Sequence, residues 1–154
     1  FIDSFSNVAI AGLNYRFLVP IGSKFPQFYL NTKVYSCLLI RNDIPFRWRG
    51  RYNEDTDLCL QALTNNWCTM NMNTYLINKA ATMTCKGGNM ETLYKGNGRL
   101  KMASSLELQW SHKYPGLVKT IYRYNRPQHY VKWSIFKTTP RAINAQSEVT
   151  NETC

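Results

Sequence analysis

Asn53-Glu54-Asp55-Thr56-Asp57-Leu58-Cys59-Leu60-Gln61-Ala62-Leu63 reads as a helix, and what flanks it decides the fold class. Asn53 or Glu54 opens the helix, with acidic residues in the first turn, where the helix dipole favours negative charge. Leu58, Ala62 and Leu63 form its inward face, and Asn65-Asn66 end it. Before it, Val34-Tyr35-Ser36-Cys37-Leu38-Leu39-Ile40 is the clearest buried strand of the chain. That strand closes at Arg41-Asn42-Asp43, and Pro45 blocks its continuation. After the helix, strands are expected over residues 67–72 and 75–78. A strand, a loop, a helix and a strand in succession imply an α/β domain.

Working outward, residues 7–20 hold two short apolar runs, split by Gly12 and closed by Pro20. They read as a strand pair or as a strand and a bend. A strand is expected over 81–85, followed by a turn at Lys86-Gly87-Gly88-Asn89. A second helix is expected over 98–110, with Leu100, Ala103, Leu106 or Glu107, and Trp110 at helical spacing. Beyond Tyr114-Pro115-Gly116, strands are expected over 117–123 and 129–136. From Thr138 to residue 154 the sequence turns polar and should fray as a tail. Several adjacent short strands favour a mixed β-sheet flanked by helices over a purely parallel one.

The 154 residues are 44% hydrophobic and 14% aromatic, enough to build a core, and only 18% charged, which excludes a disordered, charge-rich chain. The net charge of +10 makes nucleic acid, nucleotide phosphate or anionic lipid the natural partner class. The basic residues are scattered, however, so a solvated basic surface is the alternative. The five cysteines, Cys37, Cys59, Cys68, Cys85 and Cys154, show no framework of spacings, which favours a reducing compartment. Cys37 and Cys59 sit in apolar stretches, where a reduced thiol acts as a small hydrophobe. No apolar run approaches the ~20 residues that span a bilayer. A soluble protein of the cytoplasm, with no membrane partner, is expected. The chain opens at Phe1, not Met, and reads as a piece of something longer.

The densest polar chemistry is Arg47-Trp48-Arg49-Gly50-Arg51-Tyr52-Asn53-Glu54-Asp55-Thr56-Asp57, where three of the nine acidic residues follow three arginines. A carboxylate at a loop-to-helix junction, aimed beyond the strand ends, is well placed to act as a general base. Neighbouring arginines can hold phosphate through paired N–H donors. The competing reading is structural, an acidic first turn capped by arginine partners. Trp48 and Tyr52 suit stacking on a base or sugar, or plugging the core edge. Tyr122-Arg123-Tyr124-Asn125-Arg126 suits a nucleic-acid groove.

The segment from Arg51 through Leu58, with Trp67-Cys68-Thr69, resembles the Glu-Asp signature of glycosyltransferases with the GT-A fold. With Ala80-Ala81-Thr82-Met83-Thr84-Cys85, Lys86-Gly87-Gly88-Asn89, Gly98-Arg99-Leu100 and Pro127-Gln128-His129, the chain over roughly 7–135 resembles the TET/JBP-associated glycosyltransferases of bacteriophages. That resemblance implies sugar transfer from a nucleotide-sugar donor to a hydroxymethylated pyrimidine in DNA. It makes residues 1–137 the acceptor-side part of a GT-A-like domain, and assigns Asp55 as catalytic base with Glu54 beside it. Arg49, Arg51, Tyr52, Trp48 and Asp57 would be substrate-binding neighbours, with Lys86, Gly87, Gly88 and Asn89 at the diphosphate or the DNA backbone. It also implies a divalent metal, Mn²⁺ or Mg²⁺, with His129 as a ligand.

One departure matters. GT-A enzymes usually carry an Asp-x-Asp metal motif before the base, and none precedes Glu54 here. Asp55-Thr56-Asp57 has the spacing, but on a helix its carboxylates diverge by about 200°. The nucleotide-binding half is therefore expected upstream of Phe1, which puts the activity of the isolated chain in question. Two other readings stand beside sugar transfer to DNA: transfer to a protein, glycan or lipid acceptor, and a non-catalytic DNA-binding module.

Overall fold

The structure, a computed structural model, describes residues 1–22, 24–35, 37–79 and 96–143. Its centre is a four-stranded mixed sheet in the order β2-β4-β1-β3, made by β1 (Val8–Tyr15), β2 (Phe28–Leu30), β3 (Leu38–Ile40) and β4 (Cys68–Ile77). β1 and β4 run parallel, while β3 on β1 and β2 on β4 are antiparallel edges. Helix α1 (Glu54–Thr64) leads into β4, and α2 (Gly98–Ser111) packs on a hairpin of β5 (Val118–Arg123) and β6 (Arg126–Val131). The α/β class and the mixed sheet agree with expectation.

Helix α1 is buried on two sides, which makes it the middle layer. Leu58, Cys59 and Ala62 meet Ala9, Ile10, Val34 and Ile44 on the sheet side. Leu60 meets Leu106, Trp110, Leu117, Val118 and Val131 from α2 and the hairpin. On the sheet's other face Val8, Ala11, Cys68 and Met70 pack with Ile2, Phe5, Phe28 and Leu30. A register shift between Val8 and Ile10 puts Ala9 and Ile10 together in the cluster under α1, as a β-bulge does.

Several expectations are corrected. Gly12 does not split 7–20 but lies inside β1, because a Cβ there would sit 2.1 Å from the Cys37 carbonyl oxygen and 2.5 Å from Val34 Cγ1. Glycine lets Val34 and the Cys37 backbone lie against β1 at contact distance. For the same reason 34–40 is not one buried strand: only Leu38–Ile40 pairs, at an edge, with Leu39 and Cys37 exposed. The two strands expected over 67–72 and 75–78 are one, in which residues 73–75 bulge between the pairs Leu13↔Met72 and Asn14↔Leu76. The last strand runs earlier than 129–136, because Tyr124-Asn125 turn the chain back at once. Leu100 is exposed on α2.

Fraying does not start at Thr138. Asn7 Nδ2 donates to Thr139 O at 2.9 Å, Arg141 N donates to Asn7 Oδ1 at 2.7 Å, and Asn31 Nδ2 donates to Thr138 O at 2.7 Å. These buried asparagines capture a polar segment through its backbone, which composition does not register. The strand expected over 81–85 and the turn at 86–89 lie outside the described residues. Among the described residues no helix is long and apolar enough to cross a membrane.

Candidate active site

Residues 65–67 turn the chain from α1 directly into β4, so α1 runs back along the sheet. Its 11 residues span about 16 Å and bring its N-terminus to the carboxyl edge of the parallel pair β1 and β4. In open α/β sheets that edge is where ligands bind. The β4 bulge sits at the same edge, tied by Asn14 Nδ2 to Asn73 Oδ1 at 2.9 Å. Asn53 caps α1 in a left-handed conformation (φ 54°), and its Nδ2 donates to Met102 O at 2.7 Å, fixing the helix start against α2.

Asp55, in that first turn, has its two oxygens in different surroundings. Oδ1 accepts from Thr56 N at 2.6 Å and Thr56 Oγ1 at 3.2 Å, while Oδ2 pairs with Lys33 Nζ at 3.1 Å. The Lys33 and Asp55 side chains are 25% and 24% exposed, so the pair sits at the mouth of the edge, not in the core. Lys33 Nζ also lies 5.0 Å from the Tyr35 ring, and Tyr35 meets Tyr15, the last residue of β1, at 4.8 Å between centroids. Burial, then Tyr15 and Asp55, push the Tyr35 hydroxyl up to about 12, so it stays a neutral donor.

His129 on β6 joins the same cluster. Burial and then the Lys33 ammonium lower it to about 4, against a weaker opposing pull from Asp55. The imidazole is therefore neutral at pH 7. Asp55 and His129, 74 positions apart in the sequence, thus lie within electrostatic reach of each other.

Asp57 faces the other way and is fully buried. It accepts from Arg49 Nε (2.9 Å) and Nη2 (3.0 Å), Gln61 Nε2 (2.8 Å), Gln109 Nε2 (3.1 Å) and Trp110 Nε1 (2.8 Å). With five donors on two oxygens no lone pair is left for a ligand, so Asp57 locks the 47–51 loop and α2 onto α1. Arg49 is its bidentate partner and also lies 5.2 Å from the Trp110 ring. For these two residues the structural reading of the acidic turn holds.

The remaining neighbours stay at the surface. Glu54 is exposed, Trp48 is 51% exposed, and Arg51 lies 5.8 Å from the Tyr52 ring. Lys86, Gly87, Gly88 and Asn89 lie outside the described residues.

The described residues do not suit a divalent metal at His129. No three His, Cys, Asp or Glu side chains among them come together to hold one. Asp55, the acidic group His129 senses, already faces an ammonium. Lys33, Tyr35 and Tyr15 were missed in the sequence. The alternation Lys33-Val34-Tyr35 carried a signal, since Val34 is wholly buried and its two neighbours on an extended segment point to the opposite side.

Residues 1–88, more than half of the chain, match the family model described as TET-Associated Glycosyltransferase. The match takes in β1–β4, α1, Lys33 and Asp55, and ends before α2 and the hairpin that carries His129. No curated protein and no solved structure gives a significant match.

Proposed function

The chain belongs to the TET-associated glycosyltransferase family, and on that premise we propose that it transfers a sugar from a nucleotide-sugar donor to a hydroxymethylated pyrimidine in DNA. Family membership itself implies the glycosyltransferase chemistry, with a donor and an acceptor. The observation that carries the finer reading is Asp55, an ion-paired carboxylate at the carboxyl edge of β1 and β4, beside a neutral histidine. The net charge of +10 supports a polyanionic acceptor.

In the proposed step, an Asp55 carboxylate oxygen takes the proton of the acceptor hydroxyl as that oxygen bonds to the anomeric carbon. The bond from the anomeric carbon to the donor phosphate oxygen breaks, and the nucleoside diphosphate leaves with the electron pair. Lys33 holds the Asp55 carboxylate in place and favours its ionised, proton-accepting form. Tyr35 and His129, both uncharged, keep the site free of competing titration. No step is routed through a divalent metal, because the described residues do not assemble ligands for one.

The test incubates the protein with nucleotide sugars and DNA containing hydroxymethylcytosine, hydroxymethyluracil or neither, with Mn²⁺ and with a chelator. Digested nucleosides are then weighed. A sugar-sized mass gain on one hydroxymethylated base, lost in Asp55→Asn, is the expected result. Transfer only to protein, glycan or lipid would move the acceptor, and DNA binding without any transfer would leave a binding module.

A further inference from the structure

The β5–β6 hairpin has a feature that its packing does not explain. Arg123 pairs with Arg126, so the chain reverses over the two residues Tyr124-Asn125, which have φ values of 53° and 55°. Positive φ at both central positions defines the tight hairpin turn that Asn-Gly and Asp-Gly prefer. A tyrosine is strained there. Its side chain gains little from the fold in return, being 72% exposed with the Arg123 guanidinium 4.9 Å from its ring. Strain held at an exposed aromatic suggests that the ring serves something outside the chain.

The surrounding surface indicates what that is. Paired residues of a hairpin share a face, so Lys119, Ile121 and Arg123 stand with Tyr130, Gln128 and Arg126 on one side. The other side carries Val118, Thr120, His129 and Val131, and turns toward α1, α2 and Asp55. Residues 118–131 include no Asp or Glu. Neither Arg123 nor Arg126 has an ion pair among the described residues. The outer face is thus a cationic ribbon with Tyr130 exposed along it and Tyr124 exposed at its tip. Arg126 lies three residues from His129, so the tip stands roughly 10–15 Å beyond the Asp55 cluster at the ~3.3 Å rise of a strand.

We propose that this hairpin is the DNA-docking element, with Arg123 and Arg126 on backbone phosphates and Tyr124 stacked on a base next to the one delivered to Asp55. The inference rests on the DNA-acceptor reading, yet binding is measured without any donor sugar, so the two fail separately. A two-stranded ribbon fits the major groove of a duplex, and stacking on an exposed ring is tolerant of base identity.

The experiment measures binding of the protein to a labelled duplex containing hydroxymethylcytosine over a range of KCl concentrations. Tyr124→Asn gives the turn a residue that suits positive φ, so its thermal stability should equal or exceed that of the parent, while DNA affinity falls about tenfold. Arg123→Gln with Arg126→Gln should flatten the slope of log K against log salt by about 2. Unchanged affinity in Tyr124→Asn together with an unchanged slope in the arginine variant would overturn the proposal. So would anionic vesicle binding that needs Tyr124 while DNA binding does not. Sugar transfer to DNA with unaltered binding in both variants would sink the hairpin and keep the acceptor reading. Tyr124-dependent binding without transfer would keep the hairpin and remove the acceptor reading.

Discussion

Two carboxylates of α1, Asp55 and Asp57, stand two positions apart in opposite surroundings, one partly exposed and one buried. Asp57 is a buried acceptor for five donors, so Asp57→Ala leaves the buried Trp110 Nε1 without its acceptor and the Arg49 guanidinium without its carboxylate. Its expected cost is about 3 kcal/mol, measured by urea unfolding. Asp55→Asn touches only a partly exposed pair, and should change stability by less than about 1 kcal/mol while abolishing transfer. Equal destabilisation by the two variants would remove the distinction between lock and base. His129 is the residue with a pH signature. Its ordinary value of 6.5 falls to about 4 in the fold, so the unfolded chain binds the extra proton between those values. Stability is therefore greatest above pH 6.5, declines as pH falls toward 4, and gains no further slope from this group below that. His129→Gln should flatten ΔG of unfolding across that window. A slope the same as the parent's would mean that burial does not hold His129 neutral.

At the scale of elements, β1 is shaped by what crosses it. Gly12→Ala places a Cβ against the Cys37 carbonyl, a backbone atom that cannot rotate away. The expected destabilisation is about 1–3 kcal/mol, with β3 the first strand to lose amide protection. Fast hydrogen exchange confined to β2 or β4 would contradict that. Asn7 plays the matching part on the sheet's other face. Its amide binds the backbone of residues 139 and 141 from both ends, and Ile143 N donates to Ser4 O at 2.8 Å beyond it. Asn7→Ala should release residues 138–143 to exchange, at a cost of about 1–2 kcal/mol, leaving α1 and β4 protected. The 138–143 segment depends in this way on a single side chain that bonds backbone, not on an apolar run.

For the whole molecule, α1 is the shared wall between the sheet and the α2–hairpin unit, and the Asp55 cluster forms where the layers meet. The sequence alone determined α1, with its acidic first turn and its asparagine stop, because helix periodicity and capping are local physics. It also determined the α/β class and the second helix, whereas Asp55 was singled out by the resemblance to glycosyltransferases, since the string alone offers Glu54, Asp55 and Asp57 alike. Only the tertiary structure decided that Asp57 and Arg49 are a buried lock, since the donors from Gln109 and Trp110 arrive from α2, more than 50 positions away. The same holds for Lys33, Tyr35 and His129, which become one cluster with Asp55 because α1, β6 and the segment carrying Lys33 and Tyr35 converge at a strand edge. Gly12 looked like a break because its reason, a backbone crossing at contact distance, lies in another segment. Local sequence sets which elements form. Which side chains meet is set by long-range packing, and a site built from charge pairs is made of such meetings.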